Sequence, residues 1–377
     1  MCMNQRMSSA ERELRVLLES ADVQVGGKRP QDIEVYHPDF YPRVLADGSL
    51  GLGESYMKQW WDAQELDTFI ERVLRKNLHQ HIRWNRHTIW ALLKAKVSNR
   101  QTRSRSKQVA HTHYNLSGVL PDALLDPYNQ YTCAYFHGTD DLDEAQEKKL
   151  DLICRKLQLE PSDRVLDVGC GWGGFARFAA EHYGCHVTGI SISDEQVRYA
   201  KEFCRDLPVD IRLCDYRDLE GEYDKALTCG MLEHVGYRNY RTLFQTIWNH
   251  LHEDGLYLLH TIGSDKSVKT CEPFTQKYIF PNGMLPSVEQ IDRARAGLFT
   301  LQDVQNLAHH YAPTLLAWNR NFKQNWPTIA SQYCERFRRM FEYYLLSSAG
   351  AFRAGWMQHW QMVFSKAGRV IDYRGSR

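Results

Sequence analysis

One junction constrains this chain more than any other feature. The segment Arg164-Val165-Leu166-Asp167-Val168 runs directly into Gly169-Cys170-Gly171-Trp172-Gly173-Gly174, and a helix-forming stretch follows from Phe175 to Tyr183. A short buried strand that ends in glycines and turns straight into a helix opens a βαβ unit, because glycine alone tolerates the tight turn and the close backbone approach. The pattern then repeats. His186 to Ile190 reads as a second strand and Glu195 to Leu207 as a second helix. Val209–Leu213, Tyr223–Thr228 and Leu256–His260 read as further strands, with a helix over Leu243–Leu251. This alternation predicts an α/β fold with a Rossmann-like parallel sheet. In the tail the spacing predicts a long helix over Pro327 to Leu346, then a strand pair around Trp360 to Phe364.

The N-terminal region reads as a smaller mixed, mainly helical domain. Its expected elements are a helix over Ala10–Ala21, a turn at Gly51–Tyr56 leading to Trp60-Trp61, and a helix from Leu66 to Ala95. Arg103, Arg105 and Lys107 lie among serines in an apolar-free run, which marks a basic linker. The expected division is therefore 1–98, a linker at 99–110, and 111–377. Lys+Arg 47 against Asp+Glu 46 gives a net charge of +1, so no global field points to nucleic acid. Mean hydropathy is −0.53 and no apolar run approaches the ~20 residues of a membrane helix. Met1 to Leu14 has no apolar core, and the 10 cysteines are scattered without a CxxC pair. Both predict a cytoplasmic protein with reduced thiols and neither signal sequence nor disulfide framework.

The glycine loop carries further information in Asp167. A dinucleotide site aims helix amides at a pyrophosphate, where a preceding acid would repel. An acid there suits a cationic ligand such as an amino acid's ammonium group. The second strand ends in Ser191-Ile192-Ser193 and lacks the ribose-binding acid of an NAD site. Together these favour S-adenosylmethionine. Ligands of open α/β sheets bind at the carboxyl ends of the strands, where Glu233 and His260 fall. Each also reads as a capping or core polar residue. The pairs His79/His81, His111/His113 and His309/His310 lack convergent partners and read as structural, with no metal site expected.

Four segments carry a resemblance: Tyr131–Phe136, Val165–Gly174, Gly230-Met231-Leu232-Glu233-His234-Val235-Gly236 and Tyr278-Ile279-Phe280-Pro281-Asn282-Gly283. With Gly51–Tyr56 and Ala349-Gly350-Ala351-Phe352-Arg353, they resemble the bacterial two-domain cyclopropane-fatty-acyl-phospholipid synthases. The resemblance implies a class I methyltransferase sheet and methylene transfer from S-adenosylmethionine to a cis double bond of a phospholipid acyl chain. It implies a bicarbonate ion that takes the proton, held by Glu233, His260, Tyr311 and backbone near Cys133 and Ile262. Because Glu233 would lie beside that anion, one of the two must carry a proton. The implied donor contacts are Tyr131, Thr132, Asp167, Gly169, Gly171, Ser191, Ile192, Gln196, Asp215 and Tyr216. Tyr278, Tyr311 or Phe280 would face the cationic intermediate.

Relatives often carry a cysteine before Ala-Gly-Ala-Phe-Arg. Here Ser347-Ser348 stand instead, so Ser348 reads as structural. The implied partner is a bilayer surface bearing unsaturated acyl chains, met peripherally at the inner face of the membrane by a homodimer. The basic linker and the run Arg336, Arg338 and Arg339 are the candidate lipid contacts, the run reading equally as a packed amphipathic helix.

Overall fold

In the computed structural model, residues 7–78, 119–369 and 371–377 are described. The linker at 99–110, the stretch 79–95 and the histidines at 79, 81, 111 and 113 lie outside them; the helix expected from Leu66 to Ala95 ends at Arg75, with Asn77 in a left-handed conformation (φ 55°). The chain forms two compact units. One comprises Met1–Val97, Glu272–Pro281 and Trp326–Trp356; the other comprises Ser98–Cys271, Asn282–Asn325 and Met357–Arg377. The first therefore takes in two segments that a continuous boundary assigns to the C-terminal part.

The larger unit is built on a seven-stranded sheet. Its strands are β3 (Arg164–Val168), β4 (His186–Ser191), β5 (Val209–Leu213), β6 (Tyr223–Cys229), β7 (Leu251–Gly263), β8 (Phe299–Asn306) and β9 (Gln358–Lys366). The order is β5-β4-β3-β6-β7-β9-β8. β3 to β7 are parallel, and β9 runs antiparallel to both β7 and β8. The α/β expectation holds, with three differences. β8 went unread because its alternating polar residues leave only Phe299 buried at its start. The residues around Trp360 form one strand, not a hairpin, and β7 and β8 flank it. The single helix expected over Pro327–Leu346 is broken: Ala308–Ile329 and Glu335–Arg353 are separate helices, with a short turn at Ala330–Gln332 and extended Tyr333 between them.

Apolar residues on the two sheet faces form separate cores. One face packs Leu166, Tyr257, Leu259 and Phe364 with Phe244. The other packs Val165, Leu256, Leu258 and Val363 against the helices Leu142–Leu157 and Gly174–Tyr183. Strand side chains alternate between faces, so residues two apart share a side. The face of Leu256 and Leu258 therefore continues to His260 as β7 reaches its carboxyl end.

The smaller unit holds a two-stranded ribbon, β1 (Ile33–Val35) with β2 (Trp61–Ala63), and the helices Ser9–Ser20, Phe40–Met57, Leu66–Arg75, Pro273–Tyr278 and Glu335–Arg353. Gly51–Tyr56 is helical, not a turn; the break lies earlier, at Gly48 (φ 56°). Its glycines serve contact. A Cβ on Gly53 would come within 2.3 Å of the Phe274 ring, and one on Gly350 within 2.4 Å of the Asp67 carbonyl oxygen. Buried Glu54 accepts from Tyr278 Oη at 2.8 Å and Lys277 Nζ at 2.5 Å, and pairs with Arg43. Arg339 is buried as well. Its Nε donates to the Tyr56 carbonyl at 2.7 Å, its Nη1 meets Asp62 at 3.1 Å, and its guanidinium lies 3.8 Å over the Tyr56 ring. Arg338 pairs with Glu335 and Glu342. Of the three candidate lipid-contacting arginines, only Arg336 is exposed.

Candidate active site at the carboxyl ends of the strands

The glycine loop caps β3. Gly169 (φ 83°) and Gly171 (φ 54°) take left-handed conformations, and Gly171 has open space where a Cβ would stand. That is the room a ligand needs against backbone. Gly174 is required by a contact: a Cβ there would meet the Tyr128 carbonyl oxygen at 1.8 Å. Asp167 is 2% exposed at the strand tip. Burial pushes its carboxyl up to about 7, and the Lys149 cation opposes the rise. A buried acid beside an open glycine backbone fits the ammonium group of an amino-acid-like donor.

Around this cradle, Ser191 Oγ donates to Gln196 Oε1 at 2.9 Å and receives the Ser193 N–H at 3.2 Å. Ser193 caps the helix Asp194–Phe203, so the Ser191-Ile192-Ser193 turn is fixed from both sides. Asp215 caps the short turn Tyr216–Asp218 and accepts from Arg217 Nη1 at 3.2 Å. Tyr216 is buried in the core beneath Arg217. Tyr131 packs on Trp318, ring centroids 4.9 Å apart.

The helix Leu142–Leu157 supplies two residues that pattern reading missed. Gln146 Nε2 donates to the carbonyls of Gln130 at 3.3 Å and Thr132 at 3.0 Å. Lys149, fully buried, donates through Nζ to Thr132 Oγ1 at 3.0 Å and to Gln130 Oε1. Desolvation lowers its pKa. One turn of helix thus pins the Gln130–Cys133 segment. Cys133 is buried with its thiol on the Ala134 carbonyl at 3.3 Å. Burial drives that thiol far above its ordinary range, so it is no thiolate nucleophile.

The second cluster follows from register. β6 and β7 pair Cys229 with His260, and β7 and β9 pair His260 with Gln361 and Ile262 with His359. Glu233, in the short helix Leu232–Val235 after β6, accepts the Ile262 N–H through Oε1 at 2.6 Å. That backbone donor is therefore already engaged by Glu233. Burial pushes the Glu233 carboxyl up to about 7, with the Ile262 hydrogen bond opposing. His260 is held well below its usual range by burial first, then by His359 and the Lys149 and Lys156 cations, and is neutral. Its ring meets that of His359 at 4.2 Å, and Tyr311 stands edge-on to His359 at 5.3 Å. Glu233 Oε2 and His260 Nε2 are buried without a protein partner. Buried polar atoms without a partner, here joined by His359 Nδ1 and Gln361 Oε1, fit a polar ligand at the carboxyl end of β7. Among the described residues no group of three or more His, Cys, Asp or Glu could hold a metal, and the described cysteines are all free.

The family model for mycolic acid cyclopropane synthetase matches residues 100–362. The cyclopropane-fatty-acyl-phospholipid synthase of Escherichia coli K12 is 47% identical over 93% of this chain and 92% of its own. A cyclopropane synthase structure from Mycobacterium tuberculosis superimposes with a TM-score of 0.65 at 28% identity, covering 71% of this chain and all of that one. A mycolic acid cyclopropane synthase solved with SAH and CTAB gives 0.64 at 30% identity, covering 68% and 97%. This chain belongs to the cyclopropane synthase family. Its sheet is the class I methyltransferase sheet, and it is an S-adenosylmethionine-dependent methyltransferase. The places of the glycine loop, Glu233 and His260 after strand ends follow from the sequence pattern. Those of Lys149, Gln146, His359 and Gln361 do not. The one available signal was polar residues at i and i+3 on the otherwise apolar buried face of a helix, at Gln146 and Lys149. Tyr278 and Phe280, expected to face the reacting carbon, fall in the smaller unit, where Tyr278 binds Glu54 and Phe280 packs on Tyr344.

Proposed function

We propose that the enzyme transfers a methylene group from S-adenosylmethionine across a cis double bond of an acyl chain in a membrane phospholipid. The near-full-length likeness to the Escherichia coli enzyme supports the reaction and substrate class. The geometric observation that carries it is the orphaned pair Glu233 Oε2, in the short helix after β6, and His260 Nε2, on β7, with β6 lying between β7 and the cradle strand β3.

The donor is the substrate held by Asp167, Gly169, Gly171, the Ser191–Gln196 turn and the Asp215–Tyr216 turn, with Tyr131 and Thr132 closing over it. A carbon–carbon bond forms from its methyl to one alkene carbon as the sulfur–carbon bond breaks. A methyl C–H pair then closes the second bond of the ring, and one proton leaves. Bicarbonate, bound at the orphaned pair, would supply the acceptor for that proton. Glu233, protonated near neutrality, holds it with Oε2 as a donor; neutral His260 and Tyr311 supply further donors. With Ile262 N–H taken by Glu233, that residue's part is to orient the acid. The acceptor's position against the methyl group gives the site its advantage, of order 10²–10⁴-fold for a placed base.

No described helix is long and apolar enough to cross a membrane. On this reading the acyl chain is drawn from the bilayer by a peripheral protein acting at the cytoplasmic face as a homodimer. The deciding experiment incubates the enzyme with cis-unsaturated phospholipid vesicles and methyl-labelled donor, with and without bicarbonate. The expected product carries one added CH₂, no double bond, and label in a ring. A tuberculostearic acid methyltransferase of Mycobacterium tuberculosis is 30% identical over 90% of this chain, which favours a second reading of methyl addition without ring closure. A labelled methyl branch would establish that reading instead.

A further inference from the structure

His260 is neutral and so holds one proton on one of two nitrogens. Which nitrogen holds it decides whether the imidazole offers the site a donor or a lone pair. We propose that Gln361 is a positioning residue that fixes His260 in the Nε2–H tautomer, making it a hydrogen-bond donor and not a base.

Three observations carry this. First, β7 and β9 place Gln361 directly opposite His260, and both side chains stand on the same sheet face, 0% and 1% exposed. No bulk water competes for the contact. Second, Gln361 Nε2 lies 3.2 Å from His260 Nδ1. An amide nitrogen only donates, so with the Gln361 amide in this orientation, its Oε1 buried and unpartnered, Nδ1 accepts and the ring proton sits on Nε2. Third, Nε2 is the nitrogen left without a protein partner, as is Oε2 of Glu233. Glu233 reaches β7 through the Ile262 N–H, two residues beyond His260, so both unpartnered atoms stand at the carboxyl end of that strand. Burial agrees, and so do the Lys149 and Lys156 cations: all disfavour a second proton on the ring.

The inference rests on the reading that this site holds an oxyanion, for which an N–H donor is needed and a bare nitrogen lone pair would repel. It also explains why an amide stands at 361. A carboxylate there could only accept, would demand a proton on Nδ1, and would turn the lone pair of Nε2 toward the ligand.

The test uses the full-length enzyme carrying nitrogen-labelled histidine. The His260 signal is assigned by its loss in His260→Gln, and its tautomer is read from nitrogen shifts without ligands. The expected state is Nε2–H. In Gln361→Glu the tautomer should invert and turnover fall about 100-fold, while S-adenosylhomocysteine binds within about twofold of the original. In Gln361→Met, which keeps the volume but loses the donor, both tautomers should appear and turnover should fall by about tenfold. An Nδ1–H tautomer in the unaltered enzyme overturns the proposal, as does Gln361→Met with unchanged tautomer and turnover. Because the tautomer is read without ligand, an Nε2–H ring in an enzyme whose turnover ignores bicarbonate supports the role of Gln361 and sinks the oxyanion reading instead.

Discussion

At the scale of single residues, two buried carboxyls set the chemistry. Asp167 and Glu233 are both pushed up to about 7 by burial, yet only Asp167 is expected to meet a cation. Their folded values lie above their unfolded ones. Each therefore stabilises the ligand-free fold below the unfolded value and loses that contribution as pH rises through about 7. A donor bearing an ammonium group reverses the effect at Asp167 by favouring its charged form. The melting-temperature gain from saturating S-adenosylhomocysteine should thus grow between about pH 6 and pH 8, and a pH-independent gain would remove Asp167 from the donor site. Glu233→Gln keeps the Ile262 N–H partner but cannot titrate. Its turnover should fall by about 10²–10⁴-fold with donor affinity intact; unchanged turnover would take Glu233 out of the mechanism.

Among the elements, the helix Leu142–Leu157 matters most to the site, because Lys149 and Gln146 tie down the segment that closes over the donor. Lys149→Met leaves Thr132 Oγ1 and Gln130 Oε1 without their shared donor. Removing a buried charge also relieves its desolvation cost, so little stability should be lost. Donor affinity measured by calorimetry should fall about tenfold, the effect of losing one hydrogen bond to a charged group. The helix Phe40–Met57 shows another sequence motif acting through shape. Gly53 admits the Phe274 ring and Glu54 anchors Lys277 and Tyr278. Gly53→Ala should cost about 1–3 kcal/mol by overpacking, read as a lower denaturant midpoint.

At the scale of the whole molecule, the smaller unit is discontinuous in sequence. The helix Glu335–Arg353 lays Arg339 on Tyr56 and Asp62, Gly350 on Asp67, and Arg353 on Asp67 at 2.6 Å. A chain shortened to start at 111 would leave that helix with an orphaned buried arginine and an uncovered apolar face. It should aggregate or lose helix signal, seen by size exclusion and circular dichroism. Loss of lipid binding in such a chain would then report misfolding as much as docking. Charge reversal at exposed Arg336, read by vesicle co-sedimentation of the intact enzyme, avoids that confusion.

The local sequence determined what periodicity and backbone restriction can carry. Glycines at 169 and 171 specify a left-handed turn, continuous apolar runs specify strands buried on both faces, and their alternation specifies a parallel sheet with Glu233 and His260 at its carboxyl ends. Only the tertiary structure could decide what depends on partners distant along the chain. Gln361 opposes His260 from 101 positions away, Lys149 reaches a loop across a helix, and β8 is a strand because β9 offers it a ladder. Hydrogen bonds, desolvation and tautomers are properties of three-dimensional neighbours, and a linear pattern does not encode who those neighbours are.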